Sequence, residues 1–388
     1  MKKTLLHTLF RTSPSLKDFC PPITGEARRG LVGVGSLLLF SLLLLSSCTK
    51  SKKDYDEYGS DGMTTRTEHL AANLRTFVNK GTIIGQQYAT VEGIGWQGDS
   101  ARSDIKEVSG LGPAATCYEL KGIESDKKVN SDGIPFSLIR KDALQMFRHG
   151  AIVTMTWQAP EASIDKIKEG AKRVASFIAN LRDDYQIHAP VIFYPLPVGL
   201  GNWYDRIPAD QYKDLYNAVM DVLKDEDVPN IVPGYAEAFT DGSPTMNSAL
   251  QGGKLFDRCP DNGDVTPVIV NAIYIQPAAK ANATVYTATL PKLVKAVTHN
   301  AQERNLVPSL TTGIEGIPTK NLFTGTLLPI VKNNRLSYIL FSANRGDFKN
   351  HHFAVPYPGI DNDIINDFVT FCNDRSTIFI NELNGVYL

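Results

Sequence analysis

Three glutamates stand at positions where a protein built on parallel strands could use a carboxylate in chemistry. Glu119 directly follows one strand-like run, Glu237 follows a second, and Glu315 lies just beyond a third. Two carboxyl groups held close together can divide the acid and base roles of a reaction between them. A single carboxylate in a loop is more often solvated or caps a helix. These residues are therefore catalytic candidates only if the fold brings two of them together.

Aromatic and amide side chains follow the same kind of strand-like run. Aromatic rings stack on the apolar C–H faces of sugars, and amides bind sugar hydroxyls, so such a set could hold a glycan. The candidates are Trp96, Trp157, Trp203, Tyr204, Gln158 and Asn344. Large aromatic residues are also commonly buried, and the sequence leaves open how many of these belong to the core.

Residues 189–204, APVIFYPLPVGLGNWY, are the stretch on which the interpretation depends. The apolar run 191–193 predicts a buried parallel strand, and the prolines and glycines after it predict a loop at its C-terminal end. In an α/β barrel that end carries the active site. Residues 195–201 nevertheless contain no carboxylate, imidazole, thiol or hydroxyl group.

The elements that would position these residues alternate between strand and helix along the chain. The predicted strands are 82–85, 114–118, 151–157, 191–193, 230–233, 268–274, 307–310 and 336–341. The clearest amphipathic segments between them are 164–181, 209–223, 286–302 and 322–332. Eight strands alternating with helices over this length predict an α/β fold of the (β/α)8 TIM-barrel type rather than an open doubly wound sheet.

Composition excludes several classes of protein. The chain of 388 residues has 40 basic and 41 acidic side chains and a net charge of −1, so it lacks the basic character of a nucleic-acid-binding protein. Cys117, Cys259 and Cys372 are far apart in sequence, which favours core packing over a disulfide framework or a zinc site. We expect neither a cofactor nor a metal.

The N-terminal region predicts the compartment. Residues 31–45 form an apolar run that is too short for a comfortable membrane span, and LSSC at 45–48 matches a bacterial lipoprotein signal in which Cys48 is acylated. We therefore predict a signal peptide at 1–47, a flexible surface tether at 48–63 and one barrel domain at 64–388. Asp54, Asp56 and Glu57 resemble the acidic signal that sends Bacteroidetes-type lipoproteins to the outer face of the outer membrane, although a solvated linker explains them equally well.

Several stretches resemble, in order, glycoside hydrolase family 26. They are GTIIGQQYATVEGIGW (81–96), SDIKEVSGLGPAATCYELKGIE (103–124), DGIPF (132–136), HGAIVTMTWQAP (149–160), PVIFYPLPVGLGNWY (190–204), SLTTGIEGIP (309–318) and HHFAVPYPG (351–359). The family consists mostly of retaining endo-β-1,4-mannanases on a (β/α)8 barrel, and the resemblance runs from about residue 65 to the C-terminus. It is greatest to the lipoprotein mannanases of glycan-degrading Bacteroidetes.

The resemblance also implies that both catalytic glutamate positions are replaced. Family members place a His-Glu pair after the fourth strand and a Thr-Glu-Thr-Gly pattern after the seventh, which correspond to Pro197-Val198 and to residues 310–313 with Thr311 at the nucleophile position. Glu119 stands where the family usually has Asp. The pair His351-His352 lies in a loop that family members share without a metal, so we assign it to structure.

The resulting hypothesis is a cell-surface lipoprotein that binds β-mannan or a related polysaccharide without cutting it. We expect it to be lipid-anchored in the outer membrane and to work beside other glycan-uptake proteins. The main alternative is an active retaining mannanase-type hydrolase with relocated carboxylates at Glu315, Glu237 or Glu119. A third reading is a protein-binding scaffold in which residues 195–201 fill the cleft.

Overall fold

The computed structural model describes residues 56–59, 62–125 and 127–388. They belong to one compact unit, Lys53–Leu388. The predicted signal peptide and Cys48 lie outside the described residues. Among the helices that are described, none combines the length and apolar character needed to cross a membrane.

Eight parallel strands in the described residues close into a barrel, which confirms the (β/α)8 fold. They are β1 (Thr82–Gln87), β2 (Ala115–Glu119), β3 (Ile152–Trp157), β4 (Val191–Pro195), β5 (Ile231–Ala238), β6 (Ile269–Gln276), β7 (Val307–Ile314) and β8 (Tyr338–Phe341). Each pairs with the next, and β8 pairs with β1 to close the ring. The short strand Thr377–Ile378 adds to the outer edge of β1.

Helices follow the strands on the outside of the barrel. They are α1 (Thr65–Phe77), α2 (Asp104–Ser109), α3 (Phe136–Arg148), α4 (Ile164–Ala179), α5 (Ala209–Asp225), α6 (Pro244–Leu250), α7 (Ala283–Glu303), α8 (Leu328–Asn333) and α9 (Asn362–Cys372). A π-helical turn, Phe323–Leu327, leads into α8. Three of the amphipathic segments predicted from sequence correspond to α4, α5 and α7. The fourth, residues 322–332, corresponds to the π-helical turn together with α8.

The alternation of side chains along the strands decides which residues reach the barrel interior. The hydroxyl groups of Tyr194 on β4 and Tyr338 on β8 hydrogen-bond to each other across the barrel, so both side chains point inward. Gly234 on β5 faces the Tyr194 ring so closely that a Cβ there would lie 2.4 Å from it. Since residues paired between parallel strands share an orientation, these contacts set the inward positions around the ring.

Helix α1 covers the N-terminal end of the barrel. Its N-terminal side is fixed where the Thr64 amide donates to the Pro229 carbonyl, just before β5, and its C-terminal end leads into β1. Leu70, Leu74 and Phe77 are buried along the helix. The helix therefore packs across this end of the barrel, between the start of β5 and the start of β1.

The last part of the predicted tether contacts the barrel. The Asp56 carboxylate accepts hydrogen bonds from the His188 amide at 2.9 Å and from its ring Nδ1 at 2.5 Å, and it pairs with Arg66 at 3.2 Å. Burial disfavours the charged carboxylate, but the bonds from His188 outweigh it and lower the pKa of Asp56. The ordered body thus includes Asp56, ahead of the boundary predicted at residue 64, because this carboxylate satisfies a buried histidine.

We expect Asp56→Ala to lower the free energy of unfolding at pH 7 by about 3 kcal/mol, because the substitution leaves the buried His188 ring without its partner. Chemical denaturation measures this directly. Asp184→Ala is the control: Asp184 pairs with Arg148 at 2.8 Å on the surface, where loss of an ion pair costs about 0 to 1 kcal/mol. Equal losses in the two variants would show that the Asp56 contact does not hold the segment to the barrel.

Candidate functional site

The chain leaving β4 buries two apolar side chains, Leu196 and Val198. Leu196 adopts a positive φ of 53° and donates its amide to the Trp157 carbonyl at 2.8 Å. Val198 then pairs with β5, donating to Ala236 at 3.0 Å and accepting from Ala238 at 2.8 Å. Leu196 and Val198 are both buried. The position that the family resemblance gives to the acid therefore holds a buried hydrocarbon.

Asp205 organises the loop that follows. Its carboxylate accepts from the amides of Gly199 at 2.8 Å, Gly201 at 2.7 Å and Asn202 at 2.8 Å. Three backbone donors use most of the hydrogen-bonding capacity of one carboxylate, so the role of Asp205 is structural. The loop then enters the short 3-10 helix Trp203–Arg206.

Trp203 and Tyr204, which were predicted together as a binding surface, separate in the structure. Trp203 is half-buried and donates its indole N–H to the Ala159 carbonyl at 3.0 Å. Tyr204 is fully buried, with its ring edge-on to Trp203 at a centroid distance of 5.4 Å. Only Trp203 retains a surface that a ligand can touch, and the assignment of Tyr204 to binding is wrong because its ring belongs to the core.

Thr311 lies inside β7, which extends four residues beyond the predicted end of that strand to Ile314. It pairs with Leu340, two residues from the inward Tyr338, so it also faces the interior. Its hydroxyl accepts from the Asn271 amide at 2.9 Å and is 5% exposed. The position that the resemblance gives to the nucleophile holds a buried hydroxyl bonded to a neutral amide.

Glu119 is the carboxylate that the structure places at the barrel mouth. Its pairing partner Thr156 is in turn paired with the inward Tyr194, so Glu119 faces the interior. It accepts from the Lys121 amide at 2.8 Å, the Gln158 amide at 2.7 Å and the Thr156 hydroxyl at 3.1 Å. Burial is the largest influence, and it raises the pKa of Glu119 to about 7.

Gln158 connects Glu119 to the loop after β4. Its carbonyl oxygen accepts from the Asn202 side chain at 3.1 Å while its amide nitrogen donates to Glu119. Gln158 and Asn202 are both partly exposed. A polar row of Asn202, Gln158, Glu119 and Thr156 therefore crosses the mouth above β2 to β4. Sequence analysis identified Gln158 and Glu119 but missed Asn202, whose position beside Trp203 was the available signal.

Glu237 lies on the opposite side of the strand wall. Because Gly234 faces inward, alternation turns Tyr235 and Glu237 outward, toward the helices. The Tyr235 hydroxyl donates to Glu237 at 3.0 Å, and the Tyr235 ring packs edge-on against Tyr212 of α5 at 6.2 Å. Burial raises the pKa of Glu237 to about 7. This residue cannot share a barrel-mouth site with Glu119, so its place among the replacement carboxylates is wrong.

Glu315 is held at another part of the rim. One oxygen accepts from the Ala278 amide at 2.7 Å and lies 2.9 Å from Nδ1 of His352. Glu119 is tied to β2, β3 and the β4 loop, whereas Glu315 is tied to the loops after β6 and β8. The three candidate carboxylates thus have separate sets of partners.

Two other predicted binding residues are structural. Trp157 is fully buried on the outer side of the barrel, where its ring fills the space above Gly170 of α4 and its indole donates to Glu124 at 3.1 Å. Asn344 is buried and donates to Asp104 at 2.7 Å. Its carbonyl oxygen accepts from the Ala354 amide at 3.0 Å, so the side chain braces the loop after β8. Both assignments to ligand binding are wrong because burial removes the side chains from a ligand.

Trp96 remains at the rim with part of its surface exposed. Its indole donates to Asp104 at 2.8 Å, and the Arg102 guanidinium lies 5.2 Å from the ring centroid. A second rim aromatic, which sequence analysis missed, is Phe348 in the loop joining the short strands Arg345–Gly346 and His351–His352, where it is 67% exposed.

Arg345 forms a charged cluster that the sequence did not reveal. Its guanidinium lies 3.3 Å from Glu92, 3.6 Å from Asp132 and 5.6 Å from the Tyr88 ring centroid. The Tyr88 hydroxyl donates to Asp132 at 2.8 Å and accepts from Asn130 at 2.8 Å. The cluster therefore joins the loops after β1, β2 and β8 beside the mouth.

The described residues hold no group of three His, Cys, Asp or Glu side chains arranged to bind a metal. His351 packs against Phe353 at 5.1 Å and Tyr357 at 5.8 Å, while His352 turns to Glu315. The two adjacent histidines thus face different partners.

Comparison with solved structures gives close similarity in fold. A family 26 β-mannanase of Bacteroides ovatus matches with a TM-score of 0.71 and 27% identity over 83% of this chain and 98% of that one. The catalytic domain of a family 26 endo-β-1,4-mannanase of Bacillus sp. JAMB-750 matches with a TM-score of 0.69 and 20% identity, over 87% of this chain and 98% of that one. A modular endo-β-1,4-mannanase of Cellulomonas fimi matches with a TM-score of 0.67 and 20% identity, over 84% of this chain and 78% of that one. No protein-family profile and no curated protein sequence matches the chain. The chain therefore has a fold like that of family 26 mannanases.

We expect Glu237→Gln to change the pH dependence of the free energy of unfolding. A carboxyl with a raised pKa stabilises the folded state fully below its unfolded pKa of about 4.3, and this contribution is lost as pH rises through about 7. Between pH 4.5 and pH 8 the free energy of unfolding should therefore fall by about 2 to 3 kcal/mol less in the variant than in the native protein. Urea denaturation at the two pH values measures this difference. An altered affinity for manno-hexaose in this variant would place Glu237 in the ligand site instead.

Proposed function

We propose that this chain binds β-mannan or a related polysaccharide at the barrel mouth and does not hydrolyse it. The observation that carries the proposal is the pair of buried, uncharged side chains after β4 and within β7, Val198 and Thr311. The similarity in fold to mannanases, among them that of Bacteroides ovatus, supports a polysaccharide as the ligand.

Retaining hydrolysis needs one carboxyl group to protonate the leaving oxygen and a second, about 5 Å away, to attack the anomeric carbon. Val198 can do neither. The Thr311 hydroxyl is bonded to the Asn271 amide, which is neutral and cannot act as a base for it. Glu119 could hold a proton near neutral pH, but Glu315 and Glu237 are engaged elsewhere and cannot complete a pair with it.

The mouth keeps groups that recognise sugars. Gln158 and Asn202 present amides to solvent beside the half-buried Trp203 ring, and Trp96 and Phe348 lie at the rim. Amides bind hydroxyl groups and aromatic faces stack on C–H faces. Binding through a few partly exposed groups of this kind is expected to be weak.

The alternative is a hydrolase with relocated carboxylates, and one observation favours it. Glu119 is buried at the mouth with its pKa raised to about 7, which suits a general acid at neutral pH. This alternative also needs a second carboxylate at hydrolytic separation from Glu119, and neither Glu315 nor Glu237 shares a hydrogen-bond partner with it.

We further propose that Cys48 carries a lipid that anchors the protein in the outer membrane, with the barrel at the cell surface. The apolar run at residues 31–45 and the sequence LSSC support this placement. A surface glycan binder would work beside other uptake proteins, to which it could present polysaccharide chains.

We expect the soluble protein, residues 49–388, to leave manno-hexaose and galactomannan intact during long incubation, because Val198 and Thr311 occupy the positions that the resemblance gives to the two catalytic carboxyl groups. Chromatography of the products gives the result. Glu119→Gln serves as the control, since it removes the remaining candidate acid. Shorter oligosaccharides that form with the native protein and disappear with this variant would establish the hydrolase alternative.

We expect Trp203→Ala to weaken binding of manno-hexaose by about 1 to 3 kcal/mol if the sugar stacks on the exposed part of the ring, a magnitude taken from base stacking. Calorimetric titration measures the change. Tyr185→Ala is the matched control, because Tyr185 is 70% exposed and lies in the loop before β4, at the opposite end of the barrel. An unchanged affinity in Trp203→Ala would remove this residue from the ligand site.

A further inference from the structure

A long groove lies outside the barrel, between α7 and α8. Two adjoining cavities form it, one of about 630 Å³ and one of about 440 Å³, and they share Lys295, Asn333 and Asn334. The larger cavity reaches Pro308 at the start of β7 and Arg75 near the end of α1. The groove therefore runs along the outside of the barrel, from the first turns of α7 to the N-terminal end of β7.

The charges around this groove have one sign. Arg75, Lys295 and Arg335 are exposed lining residues, and none of the described residues lining either cavity is Asp or Glu. Arg75 donates to the Asn305 carbonyl at 2.9 Å, but no ion pair within the described part of the chain engages Lys295 or Arg335. One lining residue, His299, has an acidic neighbour, since Glu303 lies 3.4 Å from its ring. Such a surface attracts anions.

The remaining lining is rich in amides. Five carboxamide side chains contribute, and they are Asn79, Gln302, Asn305, Asn333 and Asn334. Each can donate to and accept from a hydroxyl group. Val78, Leu306 and Pro308 add an apolar strip. A ligand with many hydroxyl groups and some negative charge would match this combination better than a hydrocarbon or a polyanion without hydroxyls.

The length of the groove points to a chain rather than a single ion. Along α7 its lining extends from Thr287 to Gln302, which is roughly 22 Å of helix at 1.5 Å per residue. No inorganic anion fills such a distance.

We propose that this groove is a second glycan site, which binds an oligosaccharide carrying carboxylate or sulfate groups. The choice of a glycan over an acidic peptide rests on the amide lining and on the proposed function of the mouth. The site itself is separate from the mouth, since it lies on the outside of the barrel and none of its lining residues belongs to the mouth.

The experiment is calorimetric titration of the soluble protein, residues 49–388, at low salt with tetragalacturonic acid. We expect saturable binding that Lys295→Ala and Arg335→Ala each weaken by about tenfold, because each removes a charge-assisted contact. Lys292→Ala is the matched control, since Lys292 is an exposed lysine of the same helix that does not line the groove, and its affinity should be unchanged. Higher ionic strength should weaken binding by screening.

Four results would overturn the proposal. The first two are absence of saturable binding and a loss of affinity in Lys292→Ala equal to that in Lys295→Ala. The third is an affinity for inorganic sulfate equal to that for tetragalacturonic acid, which would assign the groove to small anions. The fourth is an equal affinity for penta-glutamate, which would assign it to acidic peptides. Neutral manno-hexaose titrated against Lys295→Ala separates the two proposed sites. An unchanged hexaose affinity there supports separate sites, whereas a protein that binds the uronate but not the hexaose would refute the mouth proposal alone.

Discussion

Closure of the strand ring is the constraint on which the rest of the structure depends. Once β8 pairs with β1, the orientation of one inward side chain sets the orientation of every paired position around the barrel. The contact between Tyr194 and Tyr338 fixes that orientation from two opposite strands. The same alternation then sends Glu119 into the mouth and Glu237 into the helical layer, although both glutamates lie at strand ends in the sequence.

This constraint also explains why polar side chains gather at the mouth. The polar row from Asn202 through Gln158 to Glu119 is supplied by β2, β3 and the β4 loop, and its members mainly satisfy one another. Across the barrel, Thr311 is satisfied by Asn271. A surface whose donors and acceptors are held in place in this way is suited to hydrogen-bonding with hydroxyl groups.

The fold was largely predictable from sequence, whereas the site was predictable only in part. Apolar runs located all eight strands, but β5 and β7 extend further than predicted, because Gly234 and Thr311 interrupt the apolar pattern while still pairing in the sheet. Trp157 stands at the C-terminal end of its predicted strand, which is where residues that line a cleft are found. Its position on the outer face follows from alternation, and only contacts between distant strands fix the phase of that alternation.

The contacts of Arg345 show a second reason for the limit. Its partners Glu92 and Asp132 come from loops more than 200 residues earlier in the chain. A local sequence pattern does not predict an ion pair between residues so far apart in sequence. Tether residue Asp56 is a similar case, since its partner His188 lies before β4. Polar residues in loops can be identified individually from sequence, but their mutual satisfaction depends on the closed fold.

Glu119 and Glu237 together show what a perturbed acidity can and cannot imply about function. In both, burial raises the pKa to about 7, which costs the folded protein about 3 kcal/mol at neutral pH relative to a carboxyl of ordinary acidity. Such a cost is often associated with a functional site. Glu237 carries it while facing Tyr235 and the helical layer, so the cost alone does not identify a site. Glu119 differs because it faces the barrel axis and is joined through Gln158 to side chains at the solvent-facing mouth, and this geometry, rather than its acidity, is the reason to assign it to ligand recognition.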